Sequence, residues 1–149
     1  MRAVIQRVRQ ASVYVNAEPI GRIGQGVLIL LGVAKGDEAS DVQYIVDKVV
    51  GLRLFSDEQG KMNLALPDIG GAALVVSQFT LLGDTSSGRR PGFDAAAPPE
   101  EANGRYEEVV QGLKAAGVPV ETGRFGASML VTLQNDGPVT FILDSRARK

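Results

Sequence analysis

Two hydroxyl side chains and one amide side chain follow a short apolar run in the middle of the chain, where the sequence reads Ser77-Gln78-Phe79-Thr80. Segments that leave the carboxyl ends of buried strands often carry functional groups in α/β proteins. Here the hydroxyls, the amide and the backbone N–H groups can together hold an oxyanion, such as the one formed during acyl transfer. A strand end whose Ser77 and Thr80 hydroxyls complete a turn explains the same residues without any chemistry.

Neither hydroxyl has the partner that a serine or threonine nucleophile needs. Such a nucleophile is activated by an adjacent base, and the chain has no histidine, no cysteine and no lysine close to this segment in sequence. A Ser-His-Asp triad and a zinc–thiolate site are therefore excluded, which leaves a lysine or carboxylate from a distant part of the chain as the remaining source of a base. The acidic residues show no metal-ligand spacing, so we predict that no metal or other cofactor is required.

A second polar segment near the carboxyl end reads Asn135-Asp136-Gly137-Pro138-Val139-Thr140. Asn, Asp and Gly favour turns and Pro138 has no N–H for a β-ladder, so one interpretation is a hairpin loop between two strands. The other interpretation is that Gly137 and Pro138 present rigid carbonyl groups to a ligand, because a glycine lets a ligand approach the backbone closely.

Arginine side chains are the candidate contacts for phosphate. Arg89 and Arg90 lie in a segment rich in glycine and proline, where they can bind phosphate or remain solvated surface charge. Arg146, Arg148 and Lys149 at the end of the chain allow the same two interpretations. The formal net charge is −1, which argues against a protein that coats nucleic acid but is compatible with a local basic patch.

Strands are predicted where valine and isoleucine alternate with polar residues or form short apolar runs. The predicted strands are Ala3 to Val8, Ser12 to Val15, Val27 to Val33, Ala72 to Val76, Met129 to Gln134 and Val139 to Asp144. Glu18 to Gly21 contains turn residues, Asp57 to Asp68 is predicted as a loop, and Gly83 to Pro99 as a long loop.

Two helices are predicted from capping residues and apolar stripes. Ser40 is the predicted N-cap of the first, with Gln43 completing a capping box, and the second runs from about Pro99 to Ala116. The apolar stripe of the first is Val42, Ile45, Val46, Val49 and Val50, and that of the second is Ala102, Tyr106, Val109, Val110 and Leu113. These elements predict an α/β fold with a strand-rich, curved or barrel-like β-sheet and two helices packed on the outside.

At 149 residues the chain is predicted to be a single domain, residues 1–149. Its longest apolar run, Val27 to Ala34, is too short to span a bilayer, and Arg7 and Arg9 stand where a signal peptide needs apolar residues. We therefore expect a cytoplasmic protein with no membrane partner.

Taken together, these segments resemble the D-aminoacyl-tRNA deacylase family of bacteria and eukaryotes over essentially the full chain. The resemblance rests on Ser77-Gln78-Phe79-Thr80-Leu81 and Asn135 to Thr140, in this order and at this spacing. Further matches are Met1 to Val8, Gly88-Arg89-Arg90-Pro91, Phe125-Gly126-Ala127 and Met129. The chain departs from the family pattern at Ser87, where a lysine is expected, and at Gly92, where serine is common, which bears on the number of phosphate contacts.

The resemblance implies hydrolysis of the ester that joins a D-amino acid to the 3′ end of tRNA, and of the ester of mischarged glycine. It also implies a homodimer with active sites at the subunit interface, and a cis Gly137-Pro138 bond that reaches into the partner's site. The carbonyl groups of that pair would hold the α-amino group of the substrate and fill the space into which an L side chain projects, so that glycine passes.

The resemblance also implies residue roles. Backbone N–H groups around Phe79 and Thr80 hold the carbonyl oxygen or oxyanion, while Ser77 and Gln78 orient the terminal adenosine. Because the chain lacks histidine, we favour a positioning role for Thr80 over a nucleophilic one, with the neighbouring ribose hydroxyl assisting the attack. The residues assigned to substrate or tRNA are Gly137, Pro138, Met129, Phe125, Arg7, Arg89 and Arg90. Phe125 and Met129 can equally belong to the core.

Three other functions stay open at this point. A related deacylase with a trans Gly-Pro bond removes L-alanine from the wrong tRNA, although the Ser-Gln-Phe-Thr form favours the D-specific type. A non-catalytic module that binds the end of tRNA predicts binding without turnover. A small-ligand-binding dimer has only generic support from the sequence.

Overall fold

The computed structural model describes residues 1–147, so the predicted phosphate contacts of Arg148 and Lys149 lie outside the described residues. Within this range the chain forms eight strands, two α-helices and two short 3₁₀ helices. The strands are β1 (Arg2–Val15), β2 (Glu18–Ile23), β3 (Gly26–Gly32), β4 (Phe55–Ser56), β5 (Met62–Leu64), β6 (Ala72–Ser77), β7 (Val120–Thr122) and β8 (Leu130–Asp144). The helices are α1 (Ala39–Gly51) and α2 (Pro99–Ala115), and the 3₁₀ helices are Leu66–Ile69 and Phe79–Leu82.

Strand β1 organises the sheet because both of its edges are paired. One edge pairs with β8 in the antiparallel direction over nearly the whole strand. The other edge pairs with β3 through its first half and with β2 through its second half, also antiparallel. Strand β6 adds to β3 in parallel, and β7 adds to β6 in parallel. The Arg22 N–H on β2 donates to Oε1 of Glu121 on β7 at 3.5 Å, so these two strands meet and nearly close the sheet into a barrel.

The prediction of a strand-rich, barrel-like sheet with two helices outside is confirmed. Helices α1 and α2 pack on one face of β3 and β6, where Ile29 and Val75 are fully buried. Leu28 and Leu74 on the opposite face of the same strands belong to a second core cluster. Both faces of these strands are covered, which explains why their sequences are apolar throughout.

Helix α2 has the predicted apolar stripe, and all five of its members are buried. Helix α1 buries four of the five predicted positions, but its start is not where we predicted it. The N-cap is Glu38 instead of Ser40, and the Glu38 N–H donates to Asp41 Oδ2 at 2.8 Å. The other oxygen of Asp41 accepts a hydrogen bond from Ser145 near the far end of the chain, so a long-range contact selects the cap.

No helix among residues 1–147 is both long enough and apolar enough to cross a membrane.

Two predicted irregular segments contain regular structure. The turn expected over Glu18 to Gly21 lies at Asn16 and Ala17, which have φ of 50° and 65°, and Glu18 begins β2. Pro19 is accommodated in this strand where the β1–β2 register shifts. The loop expected over Asp57 to Asp68 includes β5, which pairs with β4, and most of a 3₁₀ helix.

The predicted hairpin at Asn135 to Pro138 is wrong, because β8 is one continuous strand. Thr140 pairs with Gln6 and Asn135 pairs with Val8 on the same neighbour, β1. Only Arg7 therefore stands opposite the four residues between Asn135 and Thr140, which protrude from the ladder as a bulge. The turn-favouring residues make this bulge and do not reverse the chain.

A buried ionic network joins the ends of the chain to the start of α1. The Asp37 side chain is fully buried, and its Oδ1 accepts from the Met1 ammonium at 2.9 Å and from Arg146 Nη2 at 3.1 Å. The Met1 ammonium also donates to Ser145 Oγ at 2.9 Å, and that hydroxyl donates to Asp41 at 2.6 Å. The network thus links the residues that flank β1 and β8 to the first turn of α1, and all of its side chains except the half-exposed Arg146 are buried.

We expect Asp37→Ala to lower the free energy of unfolding by about 3–5 kcal/mol, because the substitution removes the carboxylate that pairs directly with the buried Met1 ammonium. Urea denaturation followed by circular dichroism measures the change. The matched control is Asp47→Ala on the exposed face of α1, which should stay within about 0.5 kcal/mol of the unchanged protein. Equal losses in the two variants would show that the network does not stabilise the fold.

Candidate active site

A large, mostly apolar cavity lies beyond the carboxyl ends of β3 and β6 and has a volume of about 640 Å³. All four residues of the predicted catalytic segment, Ser77 to Thr80, contribute to its wall. The predicted Phe125 and Met129 line it as well, together with Phe93 from the long loop that precedes α2. A concave, largely apolar site with a few polar groups is the usual form of a ligand-binding cavity.

The Ser77 to Thr80 segment is held against β3 by the backbone. The Gln78 N–H continues the β3–β6 ladder by donating to the Leu31 carbonyl at 2.8 Å, and the chain then turns into the 3₁₀ helix. The next residue on β3 is Gly32, where a Cβ atom would come within 2.5 Å of Leu82 and 3.1 Å of the Gln78 carbonyl. A side chain at this position would push the 3₁₀ helix away from the sheet.

The Thr80 hydroxyl has a hydrogen-bond partner inside the segment. Nε2 of Gln78 donates to Thr80 Oγ1 at 2.9 Å. An amide N–H is a donor only and takes no proton from a hydroxyl, so this contact orients the threonine oxygen and does not activate it as a nucleophile.

An exposed aromatic pair forms one side of the cavity. The Phe79 ring meets the Phe93 ring edge to face, with 5.0 Å between ring centroids. Phe79 is 55% exposed and Phe93 is 37% exposed, which is unusual for side chains of this size. Exposed rings of this kind are surfaces on which a nucleic-acid base can stack.

Phe125 and Met129 serve the core and the cavity at once. Phe125 packs on the helix-covered core beside Tyr106, with 6.1 Å between ring centroids, and also lines the cavity. The buried Tyr106 hydroxyl donates to the Val75 carbonyl at 2.8 Å, and burial raises the pKa of Tyr106 to about 12, so the phenol stays neutral. Met129 packs on the second core cluster and reaches the same cavity.

Gly137 and Pro138 are joined by a cis peptide bond, and neither lines the cavity of its own chain. The bulge that carries them is held by Asn135, whose side-chain oxygen accepts from the Val139 N–H at 2.7 Å and whose amide nitrogen donates to Thr140 Oγ1 at 3.0 Å. Gly137 has φ of 145°, and a Cβ atom there would come within 2.6 Å of the Val139 side chain. The position therefore requires glycine.

The three arginines assigned to tRNA occupy two different environments. Arg7 is largely buried, and its guanidinium donates to the Asp136 carbonyl at 2.9 Å and to the Leu54 carbonyl at 2.8 Å. It therefore holds the bulge that stands opposite it. Arg89 and Arg90 are exposed in the loop before α2, next to the point where Asp84 and Gly92 exchange two backbone hydrogen bonds of 2.7 and 2.9 Å.

Sequence reasoning missed Lys35 and Phe93, which also line the cavity. Lys35 follows β3 and Ser77 ends β6, and these parallel neighbours finish at the same edge of the sheet. Recognising that β3 and β6 are adjacent and parallel would have indicated Lys35, but adjacency is not visible in the sequence. Within residues 1–147 no three acidic side chains cluster as metal ligands, and the chain has no His or Cys.

Known proteins resemble this chain over nearly its whole length. The model of the D-Tyr-tRNA(Tyr) deacylase family matches residues 4–144. The D-aminoacyl-tRNA deacylase of Clostridioides difficile strain 630 is 59% identical over 145 residues, which cover 97% of each chain. That of Pelobacter propionicus is 56% identical over 144 residues, covering 97% of this chain and 99% of the relative.

Solved structures share the fold. A chain described as "c-Myc DNA Unwinding Element Binding Protein" superposes with a TM-score of 0.92 at 41% identity and covers 97% of this chain and 98% of its own. A probable eukaryotic D-amino acid tRNA deacylase superposes with a TM-score of 0.80 at 20% identity, covering 95% and 97%. The second likeness bears on the fold alone. The family match and the identities over nearly the full length confirm the resemblance seen in the sequence: this chain belongs to the D-Tyr-tRNA(Tyr) deacylase family.

Proposed function

We propose that the protein hydrolyses the ester bond between a D-amino acid and the 3′ end of tRNA, releasing the free amino acid and tRNA. The observation that carries the proposal is that the Ser77 to Thr80 segment lines an apolar cavity in a chain that is 59% identical to a D-aminoacyl-tRNA deacylase. We extend the proposal to mischarged glycyl-tRNA, and we place the activity in the cytoplasm, where aminoacyl-tRNA is used.

Positioning and electrostatic stabilisation supply the chemistry in this proposal. The N–H groups of Phe79 and Thr80 are the first two of a 3₁₀ helix, where N–H groups have no partner within the helix, so they are available to a carbonyl oxygen or oxyanion. Ser77 and Gln78 orient the terminal adenosine. The ribose hydroxyl next to the ester assists the attacking water, which removes the need for a histidine base. Phe125 and Met129 contact the adenine or the aminoacyl group.

Selection of the D-amino acid is assigned to Gly137 and Pro138 acting in the cavity of a second subunit. Neither residue lines the cavity of its own chain, which favours this arrangement over one within a single subunit. Their carbonyl groups would bind the α-amino group and stand where an L side chain projects, so that discrimination works by exclusion. Arg7 keeps these carbonyl groups in place through the bulge.

A homodimer is supported by the outer strand of the sheet. Among residues 1–147, β8 pairs with β1 only, so one edge of a strand of 15 residues is left open. Leu130, Phe141 and Ile142 on this strand are 67%, 40% and 76% exposed. Long open edges with exposed apolar side chains invite pairing with another chain, and a second copy would cover them.

Phosphate contacts are assigned to Arg89 and Arg90, which are exposed and lie in the loop that also carries Phe93. The tRNA contact of Arg7 stays a prediction. Because the Arg7 guanidinium donates to the Asp136 and Leu54 carbonyls, any contact that it makes with tRNA would lie close to the bulge.

We expect the purified protein to release the amino acid from D-Tyr-tRNA and Gly-tRNA but not from L-Tyr-tRNA, with or without a chelator. Thin-layer separation of the radiolabelled amino acid follows the release. Hydrolysis of the L ester at the same rate would refute selection by exclusion. Release of L-alanine from L-Ala-tRNA, assayed in the same way, would support the related deacylase, and tRNA binding with no turnover of any ester would support the binding module instead.

We expect Thr80→Val to lower kcat for D-Tyr-tRNA by roughly tenfold, the effect of losing one hydrogen bond that positions the substrate. Loss of a nucleophile would instead abolish turnover, since covalent catalysis needs the attacking oxygen. Single-turnover kinetics separate these two outcomes. Thr85→Val, which removes an exposed hydroxyl from the long loop, is the matched control and should leave kcat unchanged.

We expect Ile142→Asp to convert the dimer to a monomer and to reduce deacylation with it, because the new carboxylate would be buried between subunits without a partner. Sedimentation velocity measures the change in mass. Met62→Asp is the matched control, since Met62 is 50% exposed on the β4–β5 hairpin and has no place in the proposed interface. An Ile142→Asp protein that remained dimeric would place the interface elsewhere.

A further inference from the structure

A second, smaller cavity adjoins the candidate active site and has no role in the mechanism above. Its volume is about 230 Å³, and its walls include Arg2, Lys35 and Arg146 beside the single carboxylate Asp144. Lys35 lines both this basic cavity and the larger one. The two cavities therefore share a wall and a cation.

The shared wall is a short pair of extended segments. Ala34 forms a β-bridge with Ala96, and the Lys35 N–H donates to the Ala95 carbonyl at 3.0 Å. The Lys35 carbonyl accepts from the Arg146 guanidinium, which also bonds buried Asp37. The backbone of Lys35 is thus held on both sides, and its side chain projects from a rigid point between the cavities.

Among residues 1–147, the cationic side chains that line the basic cavity outnumber the carboxylates that pair with them. Arg2 pairs with Asp144 at 3.3 Å, and Arg146 pairs with Asp37 at 3.1 Å. No acidic side chain among residues 1–147 forms an ion pair with the Lys35 ammonium. Arg2 and Arg146 keep about half of their side-chain surface exposed, at 47% and 52%, so they can reach a ligand without leaving their partners.

We propose that the basic cavity binds the phosphodiester groups that precede the terminal nucleoside of the RNA, with Lys35 contacting the first of them. The inference rests on the proposed function, because a 3′-terminal nucleoside in the larger cavity is joined through its 5′ oxygen to the phosphate that precedes it. The cationic side chains of the basic cavity attract a phosphate and repel the ammonium of the aminoacyl group. The basic cavity is therefore suited to the RNA backbone and not to the amino acid. Arg2 also donates to the Leu81 carbonyl at 3.2 Å, which ties this site to the 3₁₀ helix of the active site.

The test compares two substrates that differ in phosphate. D-Tyr-tRNA carries the preceding phosphodiester, and the D-tyrosyl ester of adenosine lacks it. For Lys35→Gln we expect the ratio of kcat/KM between tRNA and nucleoside ester to fall by roughly threefold to fivefold, the upper part of the range for one exposed charge contact. Lys35→Arg should restore the ratio, and Lys61→Gln, which removes an exposed cation from the β4–β5 turn, should change neither substrate.

Salt dependence gives a second measurement that does not require turnover. The slope of log K against log salt for binding of uncharged tRNA should become shallower by about 0.7 in Lys35→Gln, the value for one contact to single-stranded phosphate. An unchanged slope, or equal losses on both substrates, would overturn the proposal, because Lys35 would then act on the ester or the fold. The midpoint of thermal unfolding, measured for Lys35→Gln and for Lys35→Arg, shows whether the loss of the ammonium has damaged the fold. If the unchanged protein hydrolysed neither ester, the proposed function would fail, while the salt slope would still decide whether the basic cavity binds phosphate.

Discussion

The antiparallel pairing of β1 with β8 is the interaction on which the rest of the structure depends. It occupies one whole edge of β1, so β2 and β3 must share the other edge, and the sheet curves toward closure. The same ladder contains four residues of β8 opposite the single residue Arg7. Unequal lengths of chain between two paired positions force the longer side outward. The protruding Gly137-Pro138 pair is therefore a consequence of register, and Arg7 satisfies the carbonyl that the ladder leaves unpaired at Asp136.

The parallel part of the sheet sets the chemistry of the cavity. Strands β3 and β6 end at the same edge of the sheet. The residues that follow Gly32 on the chain therefore lie next to the segment that begins at Ser77. The helices cover one face of these strands and the second core cluster covers the other, so polar groups emerge only where the strands end. The cavity is consequently apolar along its walls and polar at the Ser77 to Thr80 turn. Its aromatic rings, Phe79 and Phe93, stay exposed at this edge of the sheet.

Local signals in the sequence predicted the elements that local physics decides. The stripe of α2 and the apolar runs of β3 and β6 follow from periodicity and burial, and they are confirmed. The errors occurred where distant residues decide the outcome. Asn-Asp-Gly-Pro has the composition of a hairpin, but pairing with β1 on both sides of it keeps the chain straight. Ser40 is a better cap than Glu38 by residue type, yet Asp41 is held by Ser145 from the other end of the chain. No pattern in the sequence around Lys35 predicts that this residue lines the cavity.

Because the chain has no histidine, the polar side chains of the site share one property: none of them is a strong base. No side chain among Ser77, Gln78 and Thr80 is an efficient base near neutral pH, so any rate enhancement they give comes from where they hold the substrate. Rates that depend on position are sensitive to small displacements of the backbone. This explains why the supporting contacts are rigid: a ladder hydrogen bond at Gln78, a glycine at position 32 and a buried, neutral Tyr106 that donates to the Val75 carbonyl on β6. The charged groups lie outside this apolar cavity or at its boundary, as Lys35 does, so the walls of the cavity remain largely apolar.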